Sequence, residues 1–271
     1  METLGKLLQI LDTDMDVPTM YGWFHLLFFG LSILTGVLLC KFKKPTDSFV
    51  RKLLLTTAIL SLVLEVYKQI NYTFSYDGQT ITGDFQWYAF PFQFCSTPMY
   101  VSLLAGILGK GKLWKRLCTY LATYALFAGL VVMIYPAQVF VDTIGINIQT
   151  MICHGIMLTV GIYLLWSRYI ALEHKSILQA VPVFVCLVIL ATVMNEVAFY
   201  TGLLERETFN MFFISRHCEP SLPVYSIVQG IVPYPWCMII YVLIFTLAAY
   251  VMLLLAILTR KPAKEKAAAV S

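Results

Sequence analysis

The sequence predicts an all-α, polytopic membrane protein, a seven-transmembrane-helix bundle, with its N-terminus outside and its C-terminus cytoplasmic. Three observations carry that expectation. Hydrophobic residues fill 59 % of the 271 positions and charged residues only 13 %, and the mean hydropathy of +0.78 lies far outside the range of soluble domains. Seven apolar stretches, at 20–40, 52–72, 87–108, 113–134, 144–167, 176–200 and 232–259, are long enough for a hydrocarbon core of about 30 Å, which takes roughly 20 helical residues. Fifteen of the nineteen Lys and Arg residues come after the first, third, fifth and seventh stretches, the last set being Arg260, Lys261, Lys264 and Lys266. The positive-inside rule makes those loops cytoplasmic, and the alternation requires an odd number of crossings.

The chain divides into three regions: a short acidic segment outside at 1–19, the membrane domain at 20–259 and a basic cytoplasmic tail at 260–271. Glu2, Asp12, Asp14 and Asp16 precede the first span without a basic run ahead of an apolar core. The first span, rather than a cleavable leader, is therefore expected to direct insertion. Lys44-Pro45, Asp77-Gly78, Gly109 to Gly111, Tyr135-Pro136 and Gly202 mark the breaks between elements. The longer connections, 72–86 and 201–231, both fall on the outer side. The second carries Phe209, Met211, Phe212, Phe213 and Ile214, then Arg216, His217 and Glu219, with Pro220 and Pro223. It is read as an interfacial or re-entrant segment over the outer mouth of the bundle, because irregular backbone at membrane depth needs protein or water against it. The plain alternative is a surface loop.

Seven cysteines without CxxC spacing, most of them inside spans, predict no disulfide framework, and neither a metal nor a cofactor is expected. Asn71-Tyr72-Thr73 is a formal glycosylation sequon, placed too near a helix end to be a good acceptor. The sorting of positive charge by loop removes any reason to infer a nucleic-acid partner.

Polar residues inside the spans are the functional signal. Each charged group at mid-bilayer costs roughly 2.5 to 3.5 kcal/mol on the insertion scale, so Glu65, Gln93, Cys95, Asn147, Thr150, His154, Asn195 and Glu196 are expected to face one another. At 1.5 Å per residue Cys95 lies about 12 Å below the outer end of its span, His154 about 13 Å, and Glu65 and Asn195 about 9 Å. This depth places a pocket towards the outer face. Pro91 and Pro98 flank Cys95, and within a helix each would free a carbonyl and kink the chain. His154 has a donor and an acceptor to satisfy and would convert a neighbouring thiol to a thiolate. Asn147 and Thr150 share its helical face and would orient the ring. The ordinary alternatives are an inert buried thiol and a core histidine bonded to those two groups. Lys68 and Gln69 stand three and four residues after Glu65, the spacing of an internal ion pair. Either Glu65 or Glu196 would serve as third member of a triad. His25 reads as an interfacial histidine, and no second regular histidine pattern supports a haem site.

At Phe90-Pro91-Phe92-Gln93-Phe94-Cys95, at Cys153-His154-Gly155 and at Pro233-Tyr234-Pro235-Trp236 the chain resembles the YwaF-like bacterial integral membrane proteins. Those look like relatives of a vertebrate transmembrane lipid acyltransferase and, more distantly, of the androgen-induced membrane hydrolases of fatty-acid esters, in which a cysteine or threonine nucleophile works with an intramembrane histidine. The resemblance implies an acyl-lipid enzyme of the bacterial plasma membrane, an acyltransferase or ester hydrolase. Cys95 would be its nucleophile, His154 its base, and phospholipids or lysophospholipids its substrates. The family commonly carries histidine where this chain has Gln93. Two other functions use the same pocket: a small-molecule receptor or binding protein, and a proton-coupled transporter relaying through Glu65 and Glu196.

Overall fold

The computed structural model describes residues 2–205, 208–219 and 222–259. Pro220 and the tail residues Arg260, Lys261, Lys264 and Lys266 lie outside the described residues. The chain runs α1 (Glu2–Leu11), α2 (Trp23–Phe42), α3 (Asp47–Thr73), a two-stranded hairpin of β1 (Phe74–Tyr76) and β2 (Ile81–Gly83), α4 (Thr97–Leu108), α5 (Gly111–Tyr120), α6 (Leu126–Ile134), α7 (Ile144–Trp166), α8 (Ile177–Tyr200), α9 (Pro223–Ile231) and α10 (Tyr234–Leu258). A π-turn, Leu121–Ala125, joins α5 and α6 into one rod.

Among the described residues, five helices are long and apolar enough to cross a membrane: Trp23–Phe42, Gly111–Ile134, Ile144–Trp166, His174–Tyr200 and Tyr234–Leu258. The other two expected spans differ in kind. α3 has 27 residues, about 40 Å of helix, but carries Asp47, Arg51, Lys52, Glu65 and Lys68 along it. α4 has only 12 residues, because the continuous helix expected at 87–108 does not form. A 3-10 turn at Trp87–Ala89 and non-helical turns through Ser96 precede it. Proline explains the break: the residue before Pro91 is driven to extended backbone, and Phe90 has φ −49° and ψ 135°. Pro98 sits in the first turn of α4, where its missing N–H costs nothing. Gly109, at φ +66°, closes the other end, in the left-handed conformation that glycine adopts freely.

Without a hydrophobic drive between helices in lipid, close approach depends on small residues. α6 and α7 meet where Gly129 faces the Met157 side chain and the His154 carbonyl and where Gly161 faces Leu126. α2 crosses α7 with Gly36 on Ile162 and Gly155 on Ser32, and Thr159 Oγ1 donates to Ser32 O at 2.9 Å. α3 meets α4 with Gly106 against Leu55, and Arg51 Nε donates to Gly106 O at 2.9 Å. An aromatic cluster fills the far side: Phe184 stacks on Tyr124 at 4.5 Å, and Tyr241 lies 4.5 Å from Phe245.

One end of the bundle is covered by three pieces of chain. The N-terminal segment pairs Asp14 with Thr143 and is held by Tyr67 Oη, which donates to Leu11 O at 2.7 Å. Asn71, the sequon residue, lies inside α3 and donates to Leu11 O and Asp12 Oδ1 at 3.2 and 3.1 Å. The connection 72–86 contains the β-hairpin, whose Asp77-Gly78 turn is tied by amides of Gln79 and Thr80 to Asp77 Oδ1. The third piece is the stretch after α8, in which Phe209, Met211, Phe212 and Ile214 are buried. His25, expected at an interface, is fully buried in the bundle. Its Nδ1 accepts from Tyr21 N at 2.9 Å, and Nε2 donates to Met133 O at 2.7 Å.

Gly129→Ala should lower stability by about 1 to 3 kcal/mol, because the added Cβ would stand 2.7 Å from Met157 Cβ and 2.9 Å from the His154 carbonyl. Gly30→Ala, with nothing within 4 Å of the new carbon, should not. Thermal unfolding of the two variants in detergent compares them, and equal midpoints would contradict the packing argument.

Candidate functional site

A cavity of about 140 Å³ lies between α3, the start of α4, the π-turn and α7. It is long rather than round. Along α3 it runs from Thr57 to Lys68 and along α7 from Gln149 to Val160, each about 16 Å of helix. The end near the covered rim is polar, with Glu65, Lys68, Gln149 and Thr150, whereas the deeper end is mostly apolar, with Ala58, Met157 and Val160 beside Thr57. Leu121 and Ala125 of the π-turn form part of the wall. Such turns widen a helix locally and recur at functional sites.

Cys95 and His154 both line this cavity. Cys95 lies off the helix, in the turns just before α4, so its place is set by the loop and not by the depth rule for helices. The partial positive charge of the start of α4 stands close to it. His154 is 6 % exposed, and its Nδ1 lies 2.8 Å from Thr150 O. A carbonyl can only accept, so Nδ1 carries the proton and Nε2 carries the lone pair. Nε2 is buried without a partner among the described residues. Thr150 thus orients the ring through its backbone, while its hydroxyl donates to Gln149 Oε1 at 3.3 Å.

Glu65 forms the ion pair its spacing predicts, 2.7 Å from Lys68 Nζ, and Gln69 Nε2 donates to the same carboxylate oxygen at 2.8 Å. The other residues expected in one pocket stand apart from this cavity. Asn147, in the first turn of α7, ties down the chain that leads into the helix, accepting from Val141 N at 2.9 Å and donating to Val141 O at 2.7 Å. Gln93 accepts from Phe212 N and donates to Asn210 O, both at 3.0 Å. Asn195 accepts from Met211 N at 2.7 Å and donates to Met211 O at 3.0 Å. Glu196 pairs with Arg216 at 2.8 Å and with His217 at 3.3 Å. The physical reason is common to the first three: irregular backbone folded into the bundle needs polar partners, and these side chains supply them, whereas Glu196 pairs with side chains of the segment after α8.

Cys153, Ser61, Ser96 and Gln149 also line the cavity and were not singled out from the sequence. Ser61 stands four residues before Glu65 and Gln149 four before Cys153, so a helical-face comparison contains the signal. Among the described residues, no group of three or more His, Cys, Asp and Glu side chains could hold a metal ion.

Five apolar membrane-length helices among the described residues define an integral, multi-pass membrane protein. The chain matches the model of the TMEM164 family over residues 20–253 and belongs to that family. No curated protein and no solved structure matches it.

Asn195→Ala would leave the Met211 N–H without its partner, at about 1 to 3 kcal/mol, and its carbonyl with only the Ile214 amide at 3.4 Å. It should lower the melting temperature and open 208–215 to protease. An unchanged digestion pattern would show that this clamp does not hold the segment.

Proposed function

We propose that this protein is a membrane-embedded acyl-lipid enzyme, an acyltransferase or ester hydrolase, with Cys95 as nucleophile and His154 as base. One observation carries the reading. The Thr150 carbonyl fixes the imidazole tautomer and leaves Nε2 buried without a partner among the described residues, and His154 and Cys95 line one cavity. A base needs an unprotonated nitrogen near its nucleophile. The resemblance to YwaF-like proteins and their lipid-acylating relatives supports the same pair. Gln93, where that family commonly has histidine, is occupied by Asn210 and Phe212, and its amide has no role in proton transfer here.

In the proposed sequence, His154 Nε2 takes the Cys95 proton and the thiolate attacks a lipid ester. The leaving alcohol takes the proton from His154 as an acyl-thioester forms. A lysolipid or water then accepts the acyl group. The polar rim and apolar depth of the cavity suit an amphiphile, with membrane phospholipids or lysophospholipids as substrates. Exclusion of water would favour transfer over hydrolysis. The topology that goes with this reading has seven spans in a bacterial plasma membrane, the N-terminus outside and the basic loops cytoplasmic. The transporter reading needs Glu65 and Glu196 on one relay, but Glu65 is tied to Lys68 and Glu196 to Arg216 and His217, a separate network.

Incubation of membranes with a long-chain p-nitrophenyl ester should acylate Cys95, read by mass spectrometry of the peptide. Cys95→Ala should lose that thioester, and His154→Gln should slow its formation by about 10² to 10⁴, the usual contribution of a general base. Acylation elsewhere on the chain, unchanged in both variants, would end the proposal; proton-coupled solute flux in vesicles would favour transport.

A further inference from the structure

We propose that Lys68 is a further catalytic residue of this cavity: its ammonium donates to the acyl carbonyl oxygen as that oxygen becomes anionic, with Glu65 and Gln69 as positioning residues. The inference rests on the acyl-enzyme reading above and adds a component that neither the thiol nor the imidazole supplies.

Attack on an ester leaves a full negative charge on the former carbonyl oxygen, and a site without donors for it loses its largest electrostatic contribution. The usual source beside a nucleophile is the next run of backbone amides. Here that source is spent. The Ser96 and Thr97 amides both donate to Gln93 O, at 2.9 and 3.1 Å, and Pro98 has no N–H. Gln149 Nε2 points to Cys153 Sγ at 3.6 Å. His154 Nδ1–H is committed to Thr150 O, and Nε2 is an acceptor until it has taken the thiol proton.

Lys68 remains. An ammonium has three N–H donors, of which the contact with Glu65 Oε1 at 2.7 Å uses one. The side chain is 15 % exposed and lines the same cavity as Cys95. Its position is held from two sides. Glu65 lies one turn before it on α3, and Gln69 Nε2 joins Glu65 Oε1, at 2.8 Å, to Ala89 O, at 2.9 Å, in the stretch leading to Cys95. Such anchoring offsets the entropy that a long lysine stem would otherwise lose on each turnover. A little-exposed ion pair roughly breaks even in stability against apolar residues, so fold stability alone does not account for it.

The step balances within the cavity. The Cys95 proton passes to His154 Nε2 and the S–C bond forms. The carbonyl π pair moves to oxygen, which accepts from Lys68. Collapse restores the carbonyl, breaks the ester C–O bond, and the leaving alkoxide takes the proton back from His154.

Two reactions at one thiol test this. Alkylation of Cys95 by iodoacetamide is a displacement that makes no oxyanion, whereas acylation by p-nitrophenyl octanoate does. Lys68→Met alone would strand the Glu65 charge, so the variant is Glu65→Gln with Lys68→Met, in the purified full chain. Peptide mass spectrometry at Cys95 should show unchanged alkylation and acylation slowed about 10²- to 10³-fold, the loss typical of one oxyanion donor. Lys68→Arg, which keeps a charged donor, should recover part of that loss. An equal fall in both reactions, or a fall in neither, overturns the role of Lys68 while wild-type acylation leaves Cys95 as nucleophile. Failure of wild-type acylation at Cys95 overturns both.

Discussion

Inside an apolar helix bundle every polar group must find a protein partner, and the Thr150–His154 contact satisfies only half of a residue. Its 2.8 Å bond assigns the proton to Nδ1 and leaves Nε2 as a buried acceptor without a partner among the described residues. The same accounting sorts the remaining polar residues. His25, Asn147, Gln93 and Asn195 use both ends of their side chains on backbone groups, so they hold chain in place. Two groups with unused capacity, His154 and Lys68, line one void.

That void is a product of helix spacing. Gly129 lets α6 approach the His154 carbonyl of α7 so closely that a methyl group would not fit. The π-turn one step along the same rod swells the helix where Leu121 and Ala125 face the cavity. Tight contact beside a local widening leaves space that neither helix can collapse into, since both are pinned at the glycine.

The covered rim contributes stiffness. Phe212 and Phe213 have φ of 58° and 57°, a left-handed conformation that bulky residues adopt only when their surroundings impose it. Phe212 is fully buried, stacked on Phe94 at 5.5 Å, and its carbonyl accepts from Tyr241 Oη at 3.1 Å. Phe94 precedes Cys95 and Gln93 precedes Phe94, so the strained segment grips the turns that carry the thiol. A thiol on a loop is thereby held in place by the segment packed against it.

Much was legible from residues alone. Apolar length gave the membrane class and, among seven expected spans, the five long apolar helices; Gly109, Pro136 and Gly202 fall where helices end; and three-residue spacing gave the Glu65–Lys68 pair. These are local properties, set by propensity and by period. Tertiary structure alone decided that Cys95 sits off its helix, that Gln93, Asn147, Asn195 and Glu196 serve backbone and loop while Cys153 and Lys68 join the cavity, and that His25 is a fully buried strut. Periodicity reports which face of a helix is polar. It carries no information about how far each helix is rotated towards its neighbours, nor about which irregular stretch will fold back between them to claim a side chain's hydrogen bonds.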